Sequence, residues 1–84
     1  MGVEGLRFVI TGAATGIGEA TAKVAASKGA SVVLADITDI PGETVAAEIR
    51  ESGGKAIYVH CDVTSPDEVQ ALMEKAGNEF GGID

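Results

Sequence analysis

Thr11-Gly12-Ala13-Ala14-Thr15-Gly16-Ile17-Gly18 lies between the apolar run Leu6-Arg7-Phe8-Val9-Ile10 and a stretch of helical periodicity. Glycines spaced G-x3-G-x-G let a backbone turn tightly, approach a pyrophosphate closely and pack the following helix onto a sheet. The N–H groups of that helix's first turn have no intrahelical partners. They face the anion, with the helix dipole behind them. A glycine-rich turn alone is a weak signal, because glycines also make ordinary turns. Here the strand before it, the helix after it and an acid downstream agree.

Outward from this turn the chain alternates strand and helix. Leu6 to Thr11 is β-rich and mostly apolar, as a parallel strand covered on both faces would be. Ile17, Ala20, Thr21, Val24 and Ala25 recur at helical spacing and predict the inner face of the first helix, which Gly29 stops. Ser31 to Asp36 is the second strand. Pro41 suits the first turn of a second helix with Val45, Ala46 and Ile49 inward, ending near Gly53-Gly54. Lys55 to His60 is the third strand. The last helix starts with Ser65 as N-cap, Pro66 at its first position and Asp67 and Glu68 in its first turn. Its apolar face reads Val69, Leu72, Met73, Ala76 and Phe80. The β-α-β-α-β-α order predicts an α/β fold with an open parallel sheet and right-handed crossovers.

With 84 residues the chain makes one small domain at most. Its net charge of −7 comes from acids scattered along the chain. That balance argues against nucleic acid or an anionic membrane surface as partner, since both select basic patches, and fits a soluble cytoplasmic protein. No apolar run approaches the roughly 20 residues a membrane span requires. The N-terminus, with Glu4, does not read as a secretory signal. Cys61, the only cysteine, reads as a buried structural thiol after the third strand. A metal site on His60 and Cys61 is a poor alternative, because adjacent strand residues point to opposite faces and no second Cys or His completes a ligand set. A P-loop is excluded because no lysine follows Gly16 or Gly18.

Asp36 ends the second strand, 18 residues after Gly18. At that place an acid accepts hydrogen bonds from adenosine ribose hydroxyls and repels a 2′-phosphate, which favours NAD over NADP. No Arg or Lys stands between Gly12 and Gly18 or at Ile37-Thr38-Asp39 to welcome such a phosphate. The competing reading of Asp36 is a residue that merely opens a loop or caps a turn.

The glycine turn, then Asp36, then Cys61-Asp62-Val63-Thr64, then Gly81-Gly82-Ile83-Asp84 resembles the N-terminal part of the short-chain dehydrogenase/reductase family. The resemblance covers essentially all of residues 1–84 and implies a Rossmann-type sheet of three strands and three helices, an incomplete dinucleotide-binding domain truncated before its fourth strand. It implies pyrophosphate and adenosine contacts at Gly12, Thr15, Gly16, Ile17 and Gly18, ribose contact at Asp36 with Ile37 beside it, and adenine contact at Asp62 and Val63. The family's Asn-Asn-Ala-Gly segment, its catalytic Ser and its Tyr-x3-Lys belong to later sequence. The sole tyrosine, Tyr58, is followed four residues on by Asp62, so it reads as a strand residue, and His60 as a satisfied strand-end histidine. No catalytic residue is therefore expected within these residues. The whole protein is expected to interconvert a secondary alcohol and a ketone by hydride transfer with NAD. The alternative is a stand-alone, non-catalytic nucleotide-binding or assembly module. Without a fourth strand beside it, the first strand would be an apolar edge that invites another chain, and a homo-oligomer is expected.

Overall fold

The computed structural model describes residues 4–83. Its elements are β1 (Arg7–Thr11), α1 (Gly16–Ser27), β2 (Ser31–Asp36), α2 (Asp39–Glu51), β3 (Lys55–His60) and α3 (Pro66–Phe80). All strand pairs are parallel, in the order β1-β2-β3, with Arg7 opposite Ser31 and Asp36 opposite His60. This is the expected Rossmann-type arrangement. The first strand starts one residue later than the sequence indicates. Leu6 lies outside β1, yet its carbonyl still accepts from Ser31 N at 2.9 Å.

Side chains alternate across the sheet and so build two cores. On one face Val32, Leu34 and Ala56 pack with Ala22 and Ala26 of α1 and Val45, Ala46 and Ile49 of α2. On the other, Val33, Ala35 and Cys61 pack with Leu72 and Ala76 of α3. Val32 to Ala35 is thus buried from both sides, which explains its unbroken apolar run. Ser65 caps α3 by accepting from Glu68 N, and Gly81 closes it in the left-handed conformation. Among the described residues no helix is long and apolar enough to cross a membrane.

Two expected faces turn out differently. In α1, Ile17 and Val24 are 86% and 55% exposed, and Ala20 and Thr21 are exposed as well. Of the expected face only Ala25 packs against the core; the helix meets the sheet through Ala22 and Ala26, and Gly18 packs on the glycine turn. A Cβ on Gly18 would overlap the carbonyl of Gly12, so the start of the helix lies too close to the glycine turn for a side chain there. Ala20, Thr21 and Val24 line an open groove along β1 with Phe8 and Ile10. In α3, Met73 is exposed, while Val69, Leu72, Ala76 and Phe80 do face the sheet.

Gly42, inside α2, is buried because the ring of Tyr58 from β3 occupies the space a Cβ would fill. Gly42→Ala is expected to destabilise the fold by about 1–2 kcal/mol through overpacking, despite alanine's better helix propensity. Urea unfolding would show it, and a Tyr58→Ala background should remove most of the loss. An unchanged midpoint for Gly42→Ala alone would contradict the packing described.

Candidate functional site

The three strand-to-helix connections meet along the carboxyl edge of the sheet, where open α/β sheets place ligands. The first is the glycine turn. Gly12 and Gly16 sit at φ +64° and +62° with open space where a Cβ would be, so backbone conformation, not room, selects glycine there. Gly18 is the reverse case, with ordinary dihedrals and no room. Thr15 is the N-cap of α1 but makes no side-chain capping bond, so the first-turn N–H groups face the edge without a side-chain acceptor.

Asp36 ties this turn to β2. Its Oδ2 accepts from Ala14 N at 3.1 Å, while Ala13 N reaches the Ala35 carbonyl at 3.3 Å. Its Oδ1 accepts from both the N–H (3.0 Å) and the hydroxyl (2.8 Å) of Thr38. Partial burial works against ionisation of Asp36, but the bonds from Thr38 and Ala14 outweigh it and hold the carboxyl below its ordinary value. Asp36 therefore does cap a turn, and in doing so it is fixed beside the glycine loop.

Asp62 repeats the device at the end of β3. Its Oδ1 accepts from Thr64 N at 2.9 Å and Thr64 Oγ1 at 2.7 Å, and these bonds lower its pKa. Asp36-Ile37-Thr38 and Asp62-Val63-Thr64 are thus the same three-residue turn on neighbouring strands. Each leaves its middle residue outward, Ile37 at 61% and Val63 at 59% exposure. With Ile17 they give an otherwise acidic edge three exposed aliphatic side chains. Cys61 N donates to the Asp36 carbonyl at 3.0 Å and links the two turns. The Cys61 side chain is buried, and burial pushes its thiol pKa up.

Two supporting interactions were not read from the sequence. Glu68 Oε1 accepts from Asp62 N at 2.9 Å. Ser65-Pro66-Asp67-Glu68 carries the S-x-x-E pattern of a capping box, which would return Glu68 to Ser65 N; here Ser65 N donates to the Asp62 carbonyl and Glu68 reaches Asp62 N instead. Asp39 Oδ1 accepts from the Tyr58 hydroxyl and from His60 Nδ1, both at 2.7 Å. Tyr58 and His60 are two apart on a strand and so share a face, which was legible, but the facing acid belongs to another element.

His60 is thus the satisfied strand-end histidine expected, and its bond to Asp39 raises its pKa. Asp39 is held below its ordinary value by Tyr58 first and then His60. A raised folded-state histidine pKa contributes stability below the unfolded value near 6.5, and this is lost as pH rises through the folded value. The Asp39 contribution has the opposite sense, present above about pH 4 and lost in acid. Between pH 6 and 8 the unfolding midpoint is expected to fall more steeply in the wild type than in His60→Gln. Parallel profiles would show that the pair contributes nothing.

A sequence profile described as short chain dehydrogenase matches residues 7–84. Over 76 residues the chain is 47% identical to cis-4-hydroxycyclohexanecarboxylate dehydrogenase of Sinomonas cyclohexanicum, covering 90% of this chain and 30% of that protein. Over 82 residues it is 45% identical to 3-hydroxyacyl-CoA dehydrogenase type-2 of Rattus norvegicus, covering 98% of this chain and 30% of the relative. A hydroxysteroid dehydrogenase from Escherichia coli superposes with a TM-score of 0.95 at 40% identity, over 98% of this chain and 35% of its own. A short chain dehydrogenase/reductase from Burkholderia phymatum, solved in complex with NAD, gives 0.95 at 36% identity over 99% and 30%. The chain thus spans between 30% and 35% of the length of these proteins. The profile match over residues 7–84, joined to this fold, makes the chain a member of the short-chain dehydrogenase family.

Proposed function

We propose that the protein carrying this chain is an NAD-dependent oxidoreductase that interconverts a secondary alcohol and a ketone, and that these residues hold the adenosine and pyrophosphate half of the cofactor. The observation that carries this is the bond from Ala14 N to Asp36, which makes the glycine turn and the strand-end acid one unit. The start of α1 fits a diphosphate, because no side-chain cap competes for its first-turn N–H groups. Gly12, Thr15, Gly16, Ile17 and Gly18 form that cradle. Asp36 takes the ribose hydroxyls, with Ile37 beside it, and Asp62 and Val63 take the adenine edge. The acids Asp36, Asp39 and Asp62 oppose a 2′-phosphate. When bound, the nicotinamide supplies hydride transfer. The catalytic acid–base groups and the substrate pocket belong to sequence beyond these residues. The test is the full-length protein with NAD and a panel of secondary alcohols, followed by absorbance of the reduced nicotinamide. Turnover with NAD well above that with NADP is expected. Failure with every alcohol and, in reverse, every ketone offered would sink the activity, and a preference for NADP would sink the cofactor reading.

A further inference from the structure

The side chains of Asp39, Tyr58 and His60 converge beside the Asp36 backbone, and no cofactor role described so far uses the hydrogen bonds among them. We propose that Tyr58 and Asp39 are positioning residues that set the geometry of Asp36 and, through it, the choice of NAD over NADP. This rests on Asp36 being the ribose-binding acid.

Asp36 is held at its backbone as well as its carboxylate. The Tyr58 hydroxyl reaches the Asp36 carbonyl at 2.7 Å, and Cys61 N donates to the same oxygen at 3.0 Å. The same hydroxyl lies 2.7 Å from Asp39 Oδ1, so one phenol proton is shared between an acceptor on β2 and one at the start of α2. Only Ile37 and Thr38 separate those two acceptors, and Thr38 is itself bonded to the Asp36 carboxylate. The turn is therefore closed at both ends by a single side chain from β3.

That side chain is a fixed point. Its ring fills the space left by Gly42 and has no room to move toward α2. Asp39 is in turn held from its other side by His60 Nδ1. Burial, then the Asp39 carboxylate, pushes the Tyr58 pKa above its ordinary value of 10, so the hydroxyl stays a donor across the physiological range. The charged groups that bear on Tyr58 and on His60 are otherwise acids: Asp36 on β2, Asp39 and Glu43 on α2, and Asp62 and Glu68 across the β3–α3 connection. Loss of the hydroxyl removes no charge. A change in cofactor choice then reports geometry and not field.

The experiment is Tyr58→Phe in the full-length enzyme, with steady-state kinetics on NAD and NADP beside Asp36→Ala and the double variant. For Tyr58→Phe, kcat at saturating NAD is expected to stay within about twofold while the ratio of kcat/KM for NAD over NADP falls roughly tenfold, as for one lost hydrogen bond. In the Asp36→Ala background the same substitution should leave the ratio unchanged, because its route is gone. An unchanged ratio in Tyr58→Phe, with Asp36→Ala lowering it, overturns the proposal. So does a fall in kcat without a change in ratio, or an effect that persists in the double variant. An unchanged ratio in Asp36→Ala overturns the ribose reading instead. If Tyr58→Phe does not fold, Asp39→Glu keeps the charge while moving the acceptor, and its ratio must fall too or the proposal fails.

Discussion

Replacement of Gly18 by alanine is expected to destabilise the domain by about 2–3 kcal/mol, the upper part of the range for overpacking. The added Cβ would overlap the Gly12 carbonyl and crowd Ala13 Cα, and all of these atoms are backbone. Gly12 cannot swing aside, because its left-handed conformation is what makes the turn. The helix must lift instead, which draws Ala22 and Ala26 away from Val32 and Leu34. Urea denaturation should show a lower midpoint at an unchanged slope. Gly12→Ala and Gly16→Ala provide the contrast, since nothing crowds them and only left-handed strain of about 1–2 kcal/mol is added. If Gly18→Ala is no worse than either, close approach of the helix to the glycine turn is not the reason for that glycine.

Asp36→Ala in the full-length protein is expected to lower the preference for NAD over NADP by about 10- to 100-fold, the range for lost bonds to a charged group. Two effects act in one direction: the ribose hydroxyls lose their acceptor, and a 2′-phosphate loses the nearest opposing charge. Stability should fall as well, by about 1 kcal/mol, because Ala14 N and Thr38 lose their acceptor. Asp36→Asn separates the contributions, since an amide oxygen can still accept while the charge is gone. Kinetics with both cofactors measure the ratio, and one that matches the wild type would remove Asp36 from the specificity argument.

Much of this fold was legible in the sequence because its signals are local. Strand-like runs, Gly29 and Gly53-Gly54 as stops, and Ser65-Pro66 as a start lie within a few residues of what they control. The inner face of α1 was misread for a physical reason. Periodicity weighs bulky side chains, but a helix drawn close to a sheet uses its smallest ones, so Ala22, Ala25 and Ala26 turn inward and Ile17 and Val24 outward. The candidate site shows the same limit. The glycine turn and Asp36 follow from spacing along one β-α-β unit. The Ala14–Asp36 bond joins residues 22 apart, and the Asp39, Tyr58 and His60 cluster needs β2 and β3 to be neighbours in register.

The two cores also divide the carboxyl edge between them. Asp36 is bound to the glycine turn, to α2 through the Tyr58 hydroxyl, and to β2, which is buried on both sides. Asp62 is bound instead to the head of α3 through Ser65 and Glu68, and α3 buries only Leu72 and Ala76 fully. A fluctuation that frees α3 therefore releases Asp62 and leaves Asp36 in place. With adenine and ribose contacts assigned as proposed, a departing nucleotide loses its base grip before its sugar grip. The lifetime of the bound state would then be governed from the face of the sheet that α3 covers, opposite the face that carries α1 and α2.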